Sequence, residues 1–88
     1  MATNFYYVYV LRSNQDGEFY TGYTNDLRAR FRQHQSGQVR STSHRLPVTL
    51  IYYEACGTES DATRREKYLK TAWCKRYLKS RLRDYLTG

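Results

Sequence analysis

Eighty-eight residues are enough for one domain, and a chain this short buries only about 60–65 % of the surface its unfolded form exposes, so a single small core is expected. Lys and Arg number 15 against 8 acidic residues, a net charge of +7, and ten of the residues are Tyr, so an anionic partner is indicated. Cations interleaved with stacking rings suit bases and phosphates, which puts nucleic acid ahead of a membrane, and no apolar run approaches the ~18 residues of a membrane span.

The opening MATNFYYVYVL has neither a basic n-region nor a signal cleavage site, so a cytoplasmic protein is expected. Cys56 and Cys74 lack the close pairing of a metal knuckle or redox motif, and both read as small buried hydrophobes. From Phe5 to Leu11 (FYYVYVL) the chain is almost entirely aromatic or β-branched, which predicts a central strand buried on both faces. Ser13 to Gly17 is turn chemistry ending in Asp-Gly, so Glu18 to Tyr23 returns antiparallel as a hairpin partner.

Thr24-Asn25-Asp26 are three capping residues, and a helix follows from Leu27. Leu27 and Phe31, four residues apart, define its inward face. With Leu27 at zero, Phe31 falls at about +40°, His34 at about −20° and Arg30 at about −60°, so the imidazole and the guanidinium flank or overlap the apolar stripe. A polar group on the inward side needs a partner or a ligand, which makes Arg30 and His34 site candidates.

Ser36-Gly37 ends this helix, and Gln38 to Leu46 is a polar loop carrying Arg40, Thr42, His44 and Arg45, suited to gripping a phosphate backbone. Pro47 leads into a third strand, Val48 to Cys56, a position that suits either a sheet edge or a strand start. Thr58 or Ser60 is the N-cap of a second helix, Thr58 and Asp61 having capping-box spacing, with a seam of Ala62, Leu69 and Trp73. Glu66 falls inside that seam, at about +40° from Ala62, where a carboxylate needs a counter-charge or a metal. Arg64, Arg65, Lys67 and Lys70 sit at other angles. From Cys74 onward a basic amphipathic helix puts Leu78, Leu82 and Tyr85 on one side, with Lys75, Arg76, Lys79 and Arg83 largely on the other.

Tyr7-Val8-Tyr9, then Tyr20-Thr21-Gly22, then Arg30 and His34, then Glu66 form an ordered set that resembles the GIY-YIG nuclease superfamily, in particular its smallest single-domain members of the UPF0213 kind. The resemblance runs from about Phe5 to Leu82, with residues 1–88 read as one such domain. It implies an α/β (α+β) sandwich, a three-stranded antiparallel sheet flanked by helices in the order β-β-α-β-α-α, and a metal-dependent phosphodiesterase site. Matched by position, Tyr9, Tyr20, Arg30 and His34 take the family's catalytic places, and Glu66 takes that of its metal-binding glutamate. Tyr7 stands where the family name has glycine and Thr21 where it has isoleucine. No residue matches the late asparagine that some members place near the metal.

The implied function is an endonuclease with one Mg²⁺ or Mn²⁺ and no small-molecule cofactor, acting on DNA ahead of RNA, in repair or processing. Glu66 would hold the hydrated cation, Arg30 would grip the phosphate, and Tyr9 would activate or orient the water with Tyr20 and His34 in support. With a reference pKa of about 10, a tyrosine acting as base needs that value lowered. Arg28, Arg40, His44, Arg45, Lys70, Lys75 and Arg76 are the cations expected to meet the nucleic acid. The reading that competes is a non-catalytic basic nucleic-acid-binding module, which leaves Glu66 unexplained. The sequence leaves both a monomer and a weak homodimer open.

Overall fold

The apolar run near the start of the chain becomes β1 (Tyr6–Ser13), the middle of three strands in the order β2-β1-β3, with β2 at Phe19–Thr24 and β3 at Val48–Cys56. Both pairings are antiparallel. Helices α1 (Leu27–Gln35), α2 (Glu59–Leu69) and α3 (Ala72–Arg81) complete the expected order β-β-α-β-α-α. The structure is a computed structural model that describes residues 4–84, the side chains of residues 72–75 excepted. The readings for Trp73, Cys74, Lys75 and Tyr85 as side chains lie outside the described residues.

Local chemistry sets the boundaries. Gly17 closes the β1–β2 turn at φ 73°, a conformation that strains any residue with a Cβ. The Asp26 carboxylate accepts from the Ala29 backbone N–H to start α1, and the Thr58 hydroxyl accepts from that of Asp61 to start α2. Each such cap is worth about 1 kcal/mol. The Asp61 carboxylate accepts from Arg64 at 2.9 Å.

Instead of one core, the sheet separates two. Val8 and Val10 point to one face and pack with Ala62, Leu69 and Leu78 of α2 and α3. Tyr9 and Leu11, on the other face, pack with Val48 and with half-buried Leu27 and Phe31 of α1. Because β1 is apolar at successive positions, both pleats need cover, and a helix layer on each side supplies it.

Two expectations change in detail. The second helix stops at Leu69 with Lys70 as its C-cap, and Trp73 falls in the range of α3. Cys56 is a free thiol, half-buried against the α2–α3 cluster rather than fully enclosed.

Candidate active site

Tyr9 lies directly opposite Gly22 across the β1–β2 ladder. A Cβ built on Gly22 would sit 2.6 Å from the Tyr9 hydroxyl and 2.8 Å from its Cζ, closer than any real Cβ contact. The glycine is therefore the space through which the phenol crosses the edge strand β2. Tyr20, two residues earlier on the same face, comes within 6.4 Å of Tyr9, centroid to centroid.

Helix α1 brings His34 to this pair, as its angular position predicts. The imidazole is fully buried, with ring centroids 5.6 Å from Tyr9 and 5.1 Å from Tyr20. Its Nε2 is 2.9 Å from the Tyr9 hydroxyl and its Nδ1 is 2.7 Å from Oγ1 of Thr42, which is also fully buried. Burial, and then the Arg30 charge, push the His34 pKa down to about 4, so the ring is neutral at pH 7.

Arg30 is half-buried one turn before His34, and its Nη1 donates to Gln33 Oε1 at 3.0 Å. Its charge acts on both Tyr9 and His34. Burial raises the Tyr9 pKa, and the pull of Arg30 only partly opposes it. The lowered value that a tyrosine base requires is therefore not what this environment produces. Tyr9 is 1 % exposed, whereas Tyr20 is half-buried and lines an open cleft of about 300 Å³ with Phe19, Thr21, Leu69 and Lys70.

Glu66 comes from α2, the layer on the opposite face of the sheet, yet its charge reaches the Tyr9 phenol. Its side chain is 18 % exposed, and its ion-pair partner is Lys70 at 3.7 Å. A pair of that length and exposure is worth at most about 0.5 kcal/mol, so the carboxylate remains available to a cation. No cluster of three or more His, Cys, Asp or Glu among the described residues is placed to hold a metal ion. The donor set thus fits a largely hydrated hard cation completed by substrate oxygens, and not a closed cage.

The expected contacts to nucleic acid are more scattered. Arg28, Arg40, His44 and Arg76 are exposed, and Lys70 is exposed beside Glu66. Arg45 is half-buried, with its backbone carbonyl accepting from Ser13 Oγ at 2.8 Å. Half-buried Tyr7 and exposed Tyr53 form an edge-to-face aromatic pair at 6.1 Å on neighbouring strands. Thr42 is the site residue that sequence reading placed only in a gripping loop. Nothing in its local pattern announces that its hydroxyl folds inward onto His34.

A model of the GIY-YIG catalytic domain matches residues 5–77. A UPF0213 protein of Bacillus licheniformis is 40% identical over 88 residues, covering 96% of this chain and 90% of that protein. Another, of Lacticaseibacillus paracasei, is 44% identical over 71 residues, covering 80% of this chain and 79% of that protein. Among solved structures, the solution NMR structure of a UPF0213 protein from Bacillus halodurans is similar, with a TM-score of 0.55 at 35% identity, covering 86% of this chain and 83% of that one. A fold that lays Tyr9 across Gly22 and a sequence related over nearly its whole length lead to one conclusion: the chain belongs to the GIY-YIG nuclease family, within its UPF0213 group.

Proposed function

We propose that the protein is a metal-dependent endonuclease that hydrolyses phosphodiester bonds in nucleic acid, DNA ahead of RNA, with a place in DNA repair or processing. The observation that carries this reading is the convergence of Tyr9, Tyr20, His34 and Arg30 from β1, β2 and α1, with the Glu66 charge on α2 acting on the same Tyr9 phenol. A module that only bound polyanions would gain nothing from a carboxylate there, since its charge repels phosphate.

In this reading Arg30 grips the scissile phosphate through its planar fork and counters charge as it grows on the phosphoryl oxygens. Glu66 would hold one Mg²⁺ or Mn²⁺, which would supply a water of lowered pKa and draw charge from the phosphate. Tyr20, on the cleft wall, stands nearest the attacking water. Tyr9 acts from behind it as a neutral, orienting phenol. With its own pKa raised and that of His34 at about 4, passing its proton to the imidazole is strongly uphill.

The test incubates purified protein with labelled single-stranded, duplex and branched DNA and RNA, in Mg²⁺, Mn²⁺ or EDTA. Cleavage with either metal and none in EDTA is expected. Binding without cleavage of any substrate would instead support the basic-module reading.

A further inference from the structure

The Tyr9 hydroxyl is enclosed, with Nε2 of His34 at 2.9 Å, and the other side chain placed to hydrogen-bond it, Arg30, can only donate. A buried O–H needs an acceptor. If Nε2 carried the imidazole proton, the Tyr9 proton would have none. On the other side of the ring, Nδ1 faces the Thr42 hydroxyl, whose own proton has the Val39 carbonyl at 3.4 Å. One arrangement satisfies every group. Tyr9 donates to Nε2, the Nδ1–H donates to Thr42 Oγ1, and Thr42 donates to Val39.

We propose that Thr42 is a positioning residue that holds His34 in its Nδ1-protonated tautomer, so that the Tyr9 proton points to the imidazole and the phenol lone pairs face the reaction site. Which ring nitrogen of a histidine is protonated is set by the hydrogen bond the other nitrogen makes, and here a hydroxyl whose proton is already committed acts as the acceptor. Thr42 is well anchored for this task. Its backbone N–H donates to the Val39 carbonyl at 3.1 Å, and the far end of the loop is held by the bond from Ser13 to Arg45. The same loop carries Arg40 and His44, both exposed, so its seating governs the order of the site as well.

The tautomer follows from hydrogen-bond satisfaction alone, while its kinetic consequence rests on the nuclease reading. The experiment therefore has two arms. In the first, long-range ¹H–¹⁵N correlation of the His34 ring in labelled full-length protein is expected to show Nδ1 protonated in the wild type and in Thr42→Ser, with a shift towards the Nε2-protonated form in Thr42→Val. In the second, single-turnover cleavage in Mg²⁺ is expected to slow by about 10–100-fold in Thr42→Val at unchanged substrate affinity, and to be restored by Thr42→Ser.

An Nε2-protonated His34 in the wild type overturns the proposal, as does a Thr42→Val protein that switches tautomer yet cleaves at the wild-type rate. Should Thr42→Val not fold, the wild-type ring spectrum and the Thr42→Ser rate decide. A wild-type protein that cleaves nothing overturns the nuclease reading and the kinetic half of this proposal, while the ring spectrum still settles the tautomer.

Discussion

Tyr9 and Gly22 act as one unit: the strand partner gives up its side chain so that a phenol can cross it and meet a helix histidine. Replacing Tyr9 by Phe keeps the ring but leaves His34 Nε2 buried without its partner, which costs about 1–3 kcal/mol. Tyr20→Phe, at the cleft wall, should leave the melting temperature nearly unchanged and slow cleavage by about 10²–10⁴-fold if its hydroxyl handles the water's proton. Thermal melts and single-turnover rates on both variants check this, and a Tyr20→Phe protein at full rate would remove Tyr20 from the chemistry. His34 supplies a pH signature. Its folded-state pKa of about 4 lies below the ordinary 6.5, so the unfolded chain takes up the proton first. Stability is complete above pH 6.5 and is lost as the pH falls towards 4. The melting temperature should drop across that window in the wild type and less in His34→Gln, whereas a flat wild-type profile down to pH 5 would show that His34 is not held neutral.

Between elements, a two-bond ion pair joins β3 to α2. Arg65 donates to both oxygens of Glu54 at 2.9 and 3.0 Å, and Tyr52 donates to the same carboxylate at 2.7 Å. Burial alone would raise the Glu54 pKa, but these bonds outweigh it and hold it below the usual range. The Arg65 guanidinium also lies 5.0 Å from the Tyr68 ring centroid and 6.0 Å from that of Tyr77, tying α2 to α3. Arg65→Ala should destabilise the fold by about 1–3 kcal/mol, since it strands a half-buried carboxylate that retains some contact with water. Its cleavage rate well below the melt should match the wild type. Denaturant titration and a cleavage time course measure both, and an unchanged midpoint would show that the link contributes nothing. Sequence reading put Arg65 only off the apolar seam, because helix angle reports direction and says nothing about Glu54, eleven residues earlier on another strand. The stop at Leu69 was equally hidden, with no Gly or Pro to mark it.

For the molecule as a whole, the element order, the central position of β1 and both helix starts were legible because each rests on local chemistry: β-branched runs, Asp-Gly, and the Asp26 and Thr58 caps. His34 and Glu66 stood out because each is polar on an apolar stripe. What the chain did not reveal is which face each helix covers, since that depends on pleat and register. The helix that carries Glu66 covers one face of the sheet and the helix that carries His34 covers the other. The central claim is that Glu66 serves a cation and not the fold. The most direct measurement compares Glu66→Gln with the wild type in Mg²⁺-dependent single-turnover cleavage, alongside equilibrium binding of the same oligonucleotide. The account predicts that cleavage is lost while binding holds or tightens, because a negative charge near the phosphate has been removed. A Glu66→Gln protein that cleaves at the wild-type rate with the same Mg²⁺ dependence would contradict it.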